Sequence, residues 1–302
     1  RGTIILENVS LAGERGIPCI DIGKKCNVNL QITGENELRT GGIRVPDSSV
    51  LTVVGDGNLT INLNSGKYFG IGNSLDEYHG ELNFYQDGGI IINANGMKGI
   101  GIGSGLGGVI NIKRGHYEFD MKGQEGACIG SVNGDSELLI EYCDMDIYSG
   151  ISNGTIIGSV NGDADIKLEN ISAKLQGAGN IITGIGTIAG NSCMVRLENV
   201  NISSNIRAKE CYGIGCRAGR TDIYIGYAAV KSVVQGKAAV AFGNSVMSAK
   251  LYCSNADIGT NAVTEFNSDI GALEKNIQLE NGRAEFILNG QEIKRQILAA
   301  RL

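Results

Sequence analysis

Positive charge is in short supply in this chain of 302 residues: 26 Lys and Arg stand against 32 Asp and Glu, a net charge of -6. Phosphate backbones are held by clustered cations, so a nucleic-acid partner is not expected. No apolar run reaches the roughly 18 residues of a membrane span, so membrane insertion is not expected either. Histidine is nearly missing. His79 and His116 each stand beside a glycine, with no Ser or Cys partner in view, and both read as surface side chains. Tryptophan is absent and aromatics make up 5% of the chain, fewer than a sugar-stacking platform usually carries. No leader is visible and the first residue is Arg1, so the chain reads as a trimmed piece of something longer.

Cysteine is present without a pattern. Cys19, Cys26, Cys128, Cys143, Cys193, Cys211, Cys216 and Cys253 match no zinc-binding spacing. They read as reduced thiols buried as small hydrophobes, with disulfides as the alternative. The redox compartment stays open.

Glycine is what the chain has in abundance, at 46 residues without a collagen triplet. That much glycine implies many tight corners or close backbone approaches. Self-comparison shows where. An apolar residue followed by glycine recurs at Ile71-Gly72, Ile102-Gly103, Ile129-Gly130, Ile157-Gly158, Ile185-Gly186, Ile214-Gly215 and Phe242-Gly243, in steps of 31, 27, 28, 28, 29 and 28 residues. About ten residues later a short alternating strand recurs, from Leu82-Asn83-Phe84 through Leu138-Leu139-Ile140 and Ile223-Tyr224-Ile225 to Ala249-Lys250-Leu251. A third segment follows some copies, as at Tyr117-Glu118-Phe119, Asp146-Ile147-Tyr148 and Asn201-Ile202-Ser203.

Period-2 alternation with no 3.6-residue period disfavours helical and leucine-rich solenoids. The pattern predicts an all-β fold, a right-handed parallel β-helix of three strands per coil and about eleven coils, mostly of 28 residues. Ten steps at about 4.8 Å give a rod on the order of 48 Å. Upstream, Ile4-Ile5-Leu6, Val28-Asn29-Leu30 and Leu51-Thr52-Val53 read as shorter coils of 23 to 24 residues. Downstream, Ile277-Gln278-Leu279 reads as the copy 28 residues after Ala249-Lys250-Leu251. The solenoid is expected over 1–289. Residues 290–302 read as a cap, with Ile293, Ile297 and Leu298 at helical spacing, or as a linker.

Outward positions carry any function. The register predicts a glutamate column, Glu141, Glu169 and Glu198, beside Lys167, Arg196 and Tyr224. Like charges stacked at strand spacing repel, so the cations are expected to compensate them. This strip reads either as a solvated face of crossed ion pairs or as a ligand-binding face for a glycan or a host surface protein. Asp135 and Asp163, in the repeated Ser-Val-Asn-Gly-Asp corner, are the candidate metal ligands should Ca2+ bind; Asn-Gly-Asp is also ordinary turn chemistry. No other cofactor is expected. Asp144 and Asp146 share a face but have no cleft around them. Gly99 to Gly105 lacks the Lys-Ser/Thr of a phosphate loop and falls in register with the corner column. Five Asn-x-Ser/Thr sequons, at Asn8, Asn58, Asn153, Asn170 and Asn201, are at the level expected by chance in an Asn-rich repeat. No catalytic set is read from the chain.

The Gly-Ile-Gly-Ser corner followed by Gly-Gly-x-Ile-x-Ile, Gly101 to Ile112, resembles a repeat family of bacterial surface proteins of gut Firmicutes type. Thr3 to Val9, Asn29 to Leu38 and Gly55 to Ile61 are similar to the same family's opening coils. The resemblance implies a pectate-lyase-like β-helix, a carbohydrate-binding or adhesin-like role, and a location outside the cell or on its surface. It supplies no catalytic motif. The readings that follow are a non-catalytic carbohydrate-binding module, a β-helix polysaccharide lyase or glycoside hydrolase using the charged strip, and a structural spacer that binds a host protein.

Overall fold

A computed structural model describes residues 1–247, 249–265 and 277–298. These residues form a right-handed parallel β-solenoid, with no helix among them. One ladder runs its length: Ile4, Leu30, Val53, Phe84, Ile112, Ile140, Leu168, Leu197, Ile225, Cys253 and Leu279, each paired with the next. Eleven levels are thus joined by ten turns.

A typical coil holds two strands rather than three. The short one is β13 (Asp135–Glu141) and the long one is β14 (Cys143–Ser159). The long strand covers two sides of the tube and contains the third segment. Within it Phe119 pairs with Ile147, and Met145 reaches Ile202 through Ala173, a different register from the one expected. A left-handed residue separates short strand from long at Tyr142, Asn170, Asn199 and Tyr227, and Asn255 marks the same corner within one continuous strand; all five have φ between 47° and 53°. Asn tolerates this region better than most side chains. Asn199 Nδ2 donates to Asn170 Oδ1 at 2.6 Å, so the corner is itself a ladder.

The Ile-Gly column stands as expected. Ile71 to Phe242 and Gly72 to Gly243 pair level by level in all seven copies. At Gly158 φ is 132°, and a Cβ would sit 1.9 Å from the Gly186 carbonyl oxygen on the next level. Only glycine meets both demands. The Ile side chains beside it are fully buried in one core that runs from Leu6 to Phe286. Each level therefore depends on its neighbours to cover its apolar side.

Both ends differ from the expected register by two residues. Ile4 pairs with Leu30, not Val28, and Leu251 pairs with Ile223 above and Ile277 below. The C-terminal segment is also not a helix: β24 (Gln291–Leu298) folds back antiparallel on β23 (Ile277–Leu288), the one antiparallel pairing between described strands. Residues 299–302 lie outside the described residues. Cys128, Cys143, Cys193, Cys211, Cys216 and Cys253 are buried, Cys19 is half-buried and Cys26 exposed, all as free thiols. Burial pushes the Cys128, Cys143 and Cys253 thiols up to about 12, so they behave as small hydrophobes.

Candidate functional site

The short strands build the charged strip. In β13, β15 (Ala164–Glu169) and β17 (Ser192–Glu198), alternation sends Leu and Ile into the core and the residues between them outward. Glu141 pairs with Glu169, and Glu169 with Glu198, so the predicted column exists. Beside it Lys167, Arg196, Tyr224 and Tyr252 occupy successive levels. Tyr252 stands where the two-residue slip had put Lys250.

The ion pairs are partly those expected. Lys113 bonds Glu141 from the level above. Lys167 Nζ lies 2.8 Å from Glu169 Oε1. That hydrogen bond holds the Glu169 carboxyl below its ordinary value and raises the Lys167 ammonium. Arg196 departs from expectation: it reaches diagonally to Asp165 at 2.7 Å and leaves Glu198 without an ion pair among the described residues. Glu198 continues the column where its next member is Gly226. A Cβ on Gly226 would lie 2.2 Å from Glu198 Oε2, so the missing side chain makes room for that carboxylate.

Tyrosine is concentrated on this face. Tyr224 and Tyr252 stack with ring centroids 5.8 Å apart and planes at 22°. Both are about two-fifths exposed. Tyr85 heads the glutamate column two levels above Glu141, and Tyr142 and Tyr227 project from the left-handed corner beside it. These corner side chains are exposed at 65% and 64%. A shallow groove of about 400 Å3 lies between Glu198, Tyr224, Gly226, Tyr252 and Ser254. Tyr224 and Tyr252 are readable from the sequence as an aromatic edge of the strip; the corner tyrosines Tyr142 and Tyr227 are not.

Other candidates are placed differently. Asp163 N–H donates to Asp135 Oδ1 at 2.8 Å, and Asp163 Oδ1 accepts from Asn191 N–H and Ser192 N–H at 2.6 and 3.0 Å. The two carboxylates staple successive turns. They do not fit Ca2+, which takes six to eight oxygens, and the described residues contain no group of three His, Cys, Asp or Glu placed to hold a metal. Asp146 pairs with Lys174 at 3.2 Å on an open surface. His116 is exposed as expected, but His79 is not a surface side chain. It is 3% exposed, its Nδ1 contacts the Gly80 carbonyl and its ring lies against Gly108. Burial lowers its pKa to about 4. Gly99 to Gly105 form corner and strand as expected.

No family model, curated protein or solved structure matches this chain.

Proposed function

We propose that the chain is a non-catalytic binding module, displayed at a bacterial cell surface, that holds a glycan along its tyrosine-bordered charged face. The observation that carries this reading is the gathering of five exposed tyrosines around one strip: Tyr85, Tyr142, Tyr224, Tyr227 and Tyr252. A tyrosine ring offers an apolar body to the C–H face of a sugar and a hydroxyl to its rim. The fixed ion pairs between the rings supply donors and acceptors on levels about 4.8 Å apart, a spacing suited to an extended polymer.

A glycan array probed with the purified chain tests the reading. Binding is expected to at least one polar polysaccharide class, weakened at least tenfold by Tyr224→Ala combined with Tyr252→Ala. A blank array, or a hit indifferent to both tyrosines, overturns the glycan assignment. Turnover of the bound polymer that Glu169→Gln abolishes overturns the non-catalytic part.

A further inference from the structure

A second groove, of about 380 Å3, lies on a side of the tube built by the long strands, nearer the N-terminal end. Its volume falls within the usual range of small-ligand clefts. Two outward columns border it. One runs Arg39, Asn62, Asn93 and Asp120, and the other Asn64, Asn95 and Lys122. Alternation along β8 (Asn58–Gly72) and β10 (Gly89–Ser104) sets the columns two residues apart, about 6.8 Å, on levels about 4.8 Å apart. Four carboxamides therefore form a two-by-two grid.

The hydrogen bonding within this grid is incomplete. Asn93 Nδ2 donates to Asn62 Oδ1 at 3.0 Å, and Asn62 Nδ2 donates to Glu37 Oε1 at 2.9 Å. That chain leaves Asn93 Oδ1 as an acceptor without a donor among the described residues. On the next level Asp120 Oδ2 accepts from Lys122 Nζ at 2.9 Å, while Asp120 Oδ1 is buried and has no partner among the described residues. The exposed Asn93 carbonyl oxygen is open to a ligand donor, whereas Asp120 Oδ1 is closed to solvent. The exposed carboxamides of Asn64 and Asn95 make no side-chain bond within the described residues. The groove thus presents both donors and acceptors.

Its charges are balanced internally. Lys122 is engaged by Asp120, and Arg39 lies 3.6 Å from Glu37. A charged ligand finds no unpaired counter-charge here, unlike on the tyrosine face, where Glu198 is open. Sugar hydroxyls each donate and accept at once, carry no charge and recur along a polymer, which matches a grid of carboxamides. We infer that this groove binds an uncharged polyhydroxylated ligand, a neutral oligosaccharide lying along the solenoid axis. The site shares a ligand class with the proposed function but none of its residues, so each can fail alone.

The test uses the intact chain, titrated calorimetrically with cellohexaose, mannohexaose and maltohexaose, and with trigalacturonate as a charged probe. Asn64→Ala with Asn95→Ala alters two exposed side chains. In parallel, the side-chain NH2 signals of Asn64 and Asn95 in the wild-type protein report contact without any substitution. At least one neutral hexaose is expected to bind and to shift both amide signals. The double variant is expected to bind it about tenfold more weakly, while Tyr224→Ala leaves this affinity unchanged. Failure of every neutral hexaose to move the amide signals at millimolar concentration overturns the inference. So does equal binding of trigalacturonate, or an affinity indifferent to the double variant. Binding lost through Tyr224→Ala alone removes this site while leaving the tyrosine face standing.

Discussion

The coils from Ile71 onward and the coils before them make the same corner in different ways. From Gly72 to Gly243 the corner residue is glycine with φ between 94° and 145°, and each from Gly72 to Gly215 is stacked against the carbonyl of the next. One level earlier the position belongs to Arg44, and before that to Asp21. Neither has positive φ. There Arg44 Nε and Nη2 each donate to an Asp21 carboxylate oxygen at 2.8 Å. The corner is therefore held either by close backbone approach or by a bidentate ion pair outside it. The first is dry and admits no side chain. The second is partly hydrated and tolerates change.

The largest expected effect is on the glycine side. Gly158→Ala forces a Cβ into the Gly186 carbonyl at a φ that alanine resists, and should destabilise the chain by about 3 kcal/mol or more, read as a lower denaturant midpoint. Gly259→Ala is the control. Its Cβ meets nothing within 4 Å and its φ is ordinary, so it should leave stability unchanged or raise it by less than about 1 kcal/mol. Equal costs at the two positions would break the contrast.

His79 lies at the junction of the two regions, in the loop from Asn73 to Gly80. Its folded pKa of about 4 is below the ordinary 6.5, because burial penalises the imidazolium. The unfolded chain therefore takes up the proton first. The stability this group contributes is fully present above about pH 6.5 and is lost as the pH falls toward 4, up to about 3 kcal/mol. His79→Gln should flatten that part of the pH–stability profile. An unchanged slope between pH 6.5 and 4 would show that burial here is not what holds the imidazole neutral.

The smallest effect belongs to the opening corner. The Arg44 and Asp21 side chains are 30% and 49% exposed, so solvent screens their attraction. Arg44→Ala should cost at most about 1 kcal/mol, and the cost should shrink in 0.5 M salt. A loss as large as that of Gly158→Ala would mean that both corners are equally demanding.

Much of the fold was legible because six Ile-Gly copies and one Phe-Gly copy fix the corner, and the apolar residue of each fixes the inside. The ends were less legible for a definite reason. A slip of two residues in a strand keeps every side chain on its own face, so hydrophobic alternation cannot detect it. Ile4, Leu251 and Ile277 were each displaced in this way. The slip also set Tyr252 beside Gly226 rather than directly beneath Tyr224, so the two rings were expected on one face but not stacked. The glutamate column was visible because its three members lie in coils of regular length. The reach of Arg196 to Asp165 was not, since a long side chain can choose a diagonal partner that strand register does not specify. His79 gave no warning of its burial. It lies in an irregular loop, where no period marks inside from outside.

That loop has a use in engineering. From Gly72 to Leu82 the chain takes ten residues, and from Gly103 to Ile110 it takes seven, yet Gly72 pairs with Gly103 and Leu82 with Ile110 without a slip. Three extra residues leave the levels above and below in step. The corner is thus a splice point at which foreign peptide can be inserted, while the solenoid acts as a ruler with a mark about every 4.8 Å. Epitopes grafted at corners of successive levels would stand at set separations along one rigid edge.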